Sequence, residues 1–227
     1  IFDLSTNRLV RDADIIHFHW VDNFVDYPSF FRKVDKPIIW TLHDEGLFSG
    51  VYHFVNGKSI ESNLEEKFYP IKLKAIRSKK KLGIVFLSKM MFNQFHDDAM
   101  VEGRKMTVIN NPVDCDSFKP ISKIEARKIM NIPADALVFS FASYEIADDR
   151  KGLKILSDTL KNMNLEHAWI LAIGNITDYK EMPFVHPVGS LHGSRAMSVA
   201  YSCADYFVMP SKKEAFAQTP MESMACG

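Results

Sequence analysis

The chain has 227 residues, of which 47% are hydrophobic, including 17 Phe and 3 Trp; this excludes a disordered or low-complexity protein and, at roughly 100–200 residues per domain, allows one large domain or two small ones. Its 28 Lys and Arg balance 28 Asp and Glu, so no global field gathers nucleic acid and electrostatic recognition has to be local. Cys115, Cys203 and Cys226 are widely spaced with no CxxC pair, which suggests neither a disulfide framework nor a cysteine zinc site and makes a reducing cytoplasm the default; no apolar run approaches the roughly 18 residues of a membrane span.

Short apolar runs alternate with amphipathic stretches, the pattern of βαβ units and a parallel sheet. The first predicted strand, residues 14–20, carries His17 and His19 on either side of Phe18, so both imidazoles point to one face. A second strand, 37–42, ends beside His43 and Asp44, at the end where ligand groups gather in open α/β sheets. Together these four residues are able to build a metal-dependent hydrolase site; strand-end packing or acceptor contact accounts for them without a metal. A helix over 71–80 follows, and residues 71–81, IKLKAIRSKKK, carry Lys72, Lys74, Arg77, Lys79, Lys80 and Lys81 with no acid among them. In a neutral chain this is a local asymmetry. It reads as a solvated helix face or as a docking surface for anionic lipid heads, worth roughly 1 kcal/mol per basic residue near a membrane.

A strand over 82–87, a helix over 88–100 and a strand over 105–109 come next. Residues 110–120, NNPVDCDSFKP, then gather two prolines, two asparagines and two aspartates, which is linker chemistry. The expectation is two Rossmann-like, doubly wound α/β domains over 1–112 and 113–227, with a single eight-strand sheet as the alternative. The second half reads as a helix over 123–130, a strand over 137–142 and a helix over 153–163, whose Leu153, Leu156, Leu160 and Met163 share one face. Strands over 167–173, 184–188 and 205–208 and helices over 194–201 and 220–226 complete it. Arg150 and Lys151 stand just before the 153–163 helix.

The last segment, PSKKEAFAQTPMESMACG at 210–227, sets seven residues between Glu214 and Glu222. Thr219 fits an N-cap, Pro220 the first helical position and Glu222 the third, a capping box, with Gly227 as the residue after the helix. The same geometry allows a sharper reading. A helix that starts after a parallel strand is where phosphates bind in open sheets, and two carboxylates beside it suit hydroxyls of a ribose and a sugar.

Residues 204–227, ADYFVMPSKKEAFAQTPMESMACG, resemble the donor-site motif of the retaining, nucleotide-sugar-dependent glycosyltransferases of family 4. The likeness continues through RKG at 150–152, VINNPVDCDSFKP at 108–120, TLHD at 41–44 and IIHFHW at 15–20. It implies GT-B architecture, with an acceptor-side domain, a nucleotide-sugar domain and an active site in the cleft between them. The implied reaction moves a sugar from a nucleotide diphosphate sugar to a hydroxyl acceptor with retained configuration, in cell-surface polysaccharide or lipid-linked glycan synthesis, without metal or cofactor. Such an enzyme works in the cytoplasm, at the inner face of the membrane where its acceptor is lipid-linked. By matching position, Glu222 holds the ribose hydroxyls and Glu214 sits beside the donor hexose. The backbone of Phe216, Ala217, Gln218 and Thr219 contacts the diphosphate or sugar. Lys151 neutralises the leaving diphosphate, with Arg150 nearby, and His43 hydrogen-bonds the donor sugar without acting as a base. His17 and His19 fall on the acceptor side. The sequence departs from the pattern at 142–145, Ala-Ser-Tyr-Glu, where the family usually carries a Gly-Arg pair.

The resemblance begins partway into the N-terminal domain, the chain opens with Ile1, and ten glycines are roughly 4% of it, below the usual ~7%. These features set the expectation of a fragment that binds nucleotides weakly, turns over poorly and self-associates through uncovered edges. Beside the transferase and the hydrolase stands a third reading, a catalytically incomplete sugar-nucleotide-binding module.

Overall fold

Apolar runs from each half of the sequence pair as parallel strands. The structure is a computed structural model that describes residues 2–21, 24–54, 62–165 and 167–227. The chain divides into two units, Ile1–Asn111 and Pro112–Gly227, and each holds a four-stranded sheet rather than a share of one eight-stranded sheet. In the first, β1 (Ile16–Phe18), β2 (Ile38–Leu42), β3 (Leu82–Phe86) and β4 (Lys105–Val108) lie in sequence order; in the second, β5 (Leu137–Glu145), β6 (Ala168–Asn175), β7 (Val185–Gly189) and β8 (Tyr206–Phe207) lie in the order β7-β6-β5-β8. Every neighbouring pair is parallel. The helices are α1 (Arg8–Asp12), α2 (Tyr27–Lys33), α3 (Ser62–Ser78), α4 (Lys89–Phe95), α5 (Lys123–Ile129), α6 (Leu153–Asn162), α7 (Ser194–Ser202) and α8 (Thr219–Ala225). Among the described residues no helix is long and apolar enough to cross a membrane.

In the first unit the register sets Ile38 beside Leu82 and Trp40 beside Ile84. These side chains and Phe86 form a buried face of the kind expected for a sheet covered by helices. Phe31 of α2 stacks on Phe18 and Phe30 packs against it at a tilt, while the Phe18 ring meets Trp40 edge-on at 5.7 Å. Helix α3 begins nine residues before the predicted 71 and carries Pro70 inside it, where proline ordinarily breaks a helix. Tertiary bonds hold that early half. The Glu65 carboxylate accepts the Gly50 N–H at 2.7 Å, the Val51 N–H at 3.1 Å and the Ser49 hydroxyl at 2.7 Å.

The basic stretch divides. Lys72 turns inward and its ammonium donates to the carbonyls of Gly46 (2.7 Å) and Ser49 (2.8 Å). Lys79 is buried and donates to the carbonyl of Val34, and burial lowers its pKa. Both leave the surface that the sequence assigns them, because each satisfies backbone carbonyls at the turn where its segment packs. Lys74, Arg77, Lys80 and Lys81 are exposed, with Arg77 paired to Glu102 and Lys81 to Asp35.

The second unit is covered on both faces. Val138, Leu171 and Ile173 pack with Ala126 of α5 and with Val199, Ala200 and Tyr201 of α7. Phe141, Ile170 and Ala172 pack with Leu153, Leu156 and Leu160 of α6. The chain steps outward from β5 to β6 to β7 and then returns to the other side of β5 as β8. That reversal is a topological switch point, the place where open α/β sheets bind ligands beyond the carboxyl ends of their strands. Asp205 closes the return. It accepts the Val138 N–H at 2.8 Å, the Arg127 guanidinium at 2.7 Å and the Lys123 ammonium at 3.0 Å.

Candidate functional site

The loops after β5 and β8 meet beyond the switch point. Gly152 precedes α6 with φ +82, and a Cβ there would lie 2.4 Å from the Pro210 carbonyl oxygen, so only glycine allows both the left-handed backbone and this approach. The Lys212 N–H donates to the Arg150 carbonyl at 2.8 Å. The Arg150 guanidinium bonds the Asp148 carboxylate at 2.9 Å and the Lys213 carbonyl at 3.3 Å, which makes it a clamp between the two loops. Lys151 and Glu214 then face each other, Nζ to Oε1 at 2.6 Å, with side chains 22% and 19% exposed. This pair joins two residues that the sequence singles out for separate contacts.

Helix α8 follows the second loop. Gln218 is its N-cap residue, without a side-chain capping bond, and Thr219 is already helical. The capping box is therefore absent: the Glu222 N–H donates to the Gln218 carbonyl at 3.1 Å, and Glu222 Oε2 accepts the Tyr201 hydroxyl at 2.9 Å. Tyr201, which no local spacing marks, comes from α7. Burial, with the Glu222 charge second, pushes its phenol pKa far up, so it stays a proton donor. Phe216, Ala217, Gln218 and Thr219 are half-buried. Gln218 donates to the Pro112 carbonyl at 2.6 Å, while its Oε1 and Ser211 Oγ are buried without a partner among the described residues. Gly227 takes φ +86 after the helix, in keeping with its expected place.

In the first unit the histidines gather at the carboxyl ends of β1 and β2. His17 Nε2 bonds Thr41 Oγ1 at 2.8 Å, its ring lies 4.2 Å from that of His19, and His19 Nδ1 meets His43 Nε2 at 2.9 Å. Burial, then the neighbouring His19, lowers the pKa of both His17 and His43, which holds those rings neutral near pH 7. Asp44 does not join them. Its carboxylate accepts the Gly46 N–H at 2.8 Å and meets His53 Nδ1 at 2.9 Å. The quartet of the hydrolase reading is therefore not assembled, and among the described residues no group of three or more His, Cys, Asp or Glu is arranged to hold a metal ion.

No protein-family model matches the chain. A curated relative, the alpha-galactosylglucosyldiacylglycerol synthase of Streptococcus pneumoniae strain R6, is 25% identical over 243 aligned residues, covering 98% of this chain and 61% of its own. The crystal structure of a glycosyltransferase from Rickettsia africae superposes with a TM-score of 0.64 at 18% identity, covering 95% of this chain and 56% of that one. The Anabaena HepE protein, solved in complex with UDP and glucose, gives 0.61 at 17% identity, covering 94% and 57%. The chain thus spans less than two thirds of the length of these relatives. Two parallel-sheet α/β units in this order, matched over nearly the whole chain, are the fold of the GT-B nucleotide-sugar glycosyltransferases.

Proposed function

We propose that the protein is a retaining, family 4-like glycosyltransferase that moves a sugar from a nucleoside diphosphate donor to a hydroxyl acceptor. The observation that carries the reading is the Lys151–Glu214 pair at 2.6 Å beyond the switch point of the second sheet, with Glu222 on the helix that follows. Cleavage of the glycosidic bond places growing negative charge on the diphosphate. A fixed ammonium at Lys151 stabilises that charge and supplies in the chain itself what a divalent cation supplies elsewhere, so neither metal nor cofactor enters. Glu214 accepts a hydroxyl of the donor sugar, and Glu222 accepts the ribose hydroxyls. The backbone of 216–219 lies against the diphosphate or sugar. Arg150, committed to Asp148 and Lys213, shapes the loop and does not replace the family arginine. His17 and His43, held neutral, suit hydrogen bonds to sugar hydroxyls rather than proton abstraction. The likeness to a glycolipid synthase favours a lipid-linked acceptor, met at an anionic membrane surface.

Thermal shifts with ADP, GDP, UDP and their common sugar conjugates, in chelator, test the reading, since a ligand at a hundred times its dissociation constant stabilises by roughly 2.7 kcal/mol. One nucleotide should raise the melting temperature of the parent and not of Glu222→Gln. Identical shifts in both proteins remove the ribose role. A turnover assay with the nucleotide sugar that binds separates an enzyme from a catalytically incomplete binding module.

A further inference from the structure

Helices α7 and α8 meet along one seam, where Cys226 Sγ lies 3.4 Å from Ser198 Oγ and the Ser202 hydroxyl donates to the Cys226 carbonyl at 3.4 Å. Tyr201 stands on the same face of α7, buried in the core cluster, with its ring edge-on to Phe207 at 5.7 Å. Tyr201 is only 4% exposed, and close packing of this kind holds a core side chain in one rotamer, which sets where its hydroxyl points. That hydroxyl reaches Glu222 Oε2 at 2.9 Å. Glu222 itself is only half-buried, and among the described residues its second oxygen, Oε1, has no hydrogen-bond partner. A glutamate on a helix has three rotatable side-chain bonds; a bond from a packed phenol to one carboxylate oxygen restricts them and leaves the other oxygen able to accept a ligand hydroxyl.

We propose that Tyr201 is a positioning residue for donor binding: its hydroxyl holds one oxygen of Glu222 so that the other is presented to the ribose. The inference rests on the ribose role proposed for Glu222. The phenol remains a donor throughout the working pH range, since burial and the adjacent carboxylate both oppose its ionisation. Tyr201 touches no substrate. It acts through Glu222 alone, so its loss leaves the diphosphate and base contacts intact.

Tyr201→Phe removes the hydroxyl and keeps the ring in the core, and its melting temperature is measured first to establish folding. Affinities for ADP, GDP and UDP are then compared with those for the 2′-deoxy counterparts, in the parent, Tyr201→Phe, Glu222→Gln and the double variant. The parent should prefer the ribonucleotide that binds, and Tyr201→Phe should reduce that preference by about tenfold, equal to about 1.4 kcal/mol, the scale of one oriented hydrogen bond. Adding Tyr201→Phe to Glu222→Gln should change the preference no further, as expected for two residues acting as one unit. If Glu222→Gln loses the preference and Tyr201→Phe keeps it, the positioning role is wrong and the ribose role stands. Equal weakening of ribo and deoxyribo ligands by Tyr201→Phe makes the tyrosine merely structural. No ribose preference in the parent, or one that Glu222→Gln leaves unchanged, removes the ribose role and this proposal with it.

Discussion

Lys151 and Glu214 bond each other at 2.6 Å, so under the proposed function donor binding would exchange one partner for another. In that proposal the lysine would pass from a carboxylate to a diphosphate, and the glutamate from an ammonium to a sugar hydroxyl, an exchange worth more in the transition state, where the diphosphate gains charge while the sugar hydroxyls do not. Lys151→Ala should therefore lower kcat by a larger factor than it raises KM in steady-state kinetics with a nucleotide sugar. The opposite proportion would mean that the lysine only holds the donor. The two carboxylates were marked in the sequence by their spacing, and Lys151 by the family resemblance. Their partners were not: Lys151 lies 63 residues from Glu214 and Tyr201 21 residues from Glu222, and such distances are bridged by sheet order and helix packing, which local patterns do not encode. Thr219 and Pro220 show the converse. Their local signal matches a capping box, but the helix starts one residue earlier, and the free carboxylate is claimed by a tyrosine from α7.

At the scale of elements, the strands were legible because parallel strands covered by helices are near-continuous apolar runs, a pattern that survives without alternation. Helix α2 escaped although its signal is present: Tyr27, Phe30, Phe31 and Val34 follow the helical period, with Pro28 in the first turn. The first half of α3 was hidden by Pro70 and is held by Glu65 across the chain, a bond with no local trace. Two contacts between elements lead to predictions. Gly152→Ala would place a Cβ 2.4 Å from the Pro210 carbonyl oxygen on a backbone at φ +82, so it should lower stability by at least about 1 kcal/mol and displace the 210–214 loop. Denaturant melts and a loss of nucleotide-induced shift would report the two effects. Asp205 ties α5, β5 and β8 together. Burial raises its pKa, but the Val138 N–H, Lys123 and Arg127 outweigh this and leave it below its ordinary value of 3.8. A depressed folded-state pKa contributes stability above the unfolded value that is lost as pH falls through the folded one. The melting-temperature gap between the parent and Asp205→Asn should thus be wide at pH 6 and narrow as pH falls through and below the ordinary carboxylate value. A gap independent of pH would assign the loss to packing instead.

For the whole molecule, net charge is zero, and any attraction to a membrane has to come from how charges are arranged. Sequence composition marked six cations between 72 and 81 as one surface, and the structure withdraws Lys72 and Lys79 into backbone contacts. Four remain exposed, of which Arg77 and Lys81 each face a carboxylate. Exposed pairs of this kind are worth about 0–1 kcal/mol, little enough that both cations stay available to a denser field of anionic headgroups. Lys74 and Lys80 are the sites to change, because reversing them leaves both pairs and both inward-turned lysines in place, whereas Lys79→Glu would bury an unpaired carboxylate and report on folding. The parent should sediment with vesicles of anionic phospholipid at low salt and lose that binding as salt rises, since screening acts within about 10 Å at 0.1 M. Lys74→Glu with Lys80→Glu should weaken sedimentation strongly while the nucleotide-induced thermal shift is kept. Equal sedimentation of the two proteins would return residues 71–81 to an ordinary solvated surface and remove the proposed membrane docking.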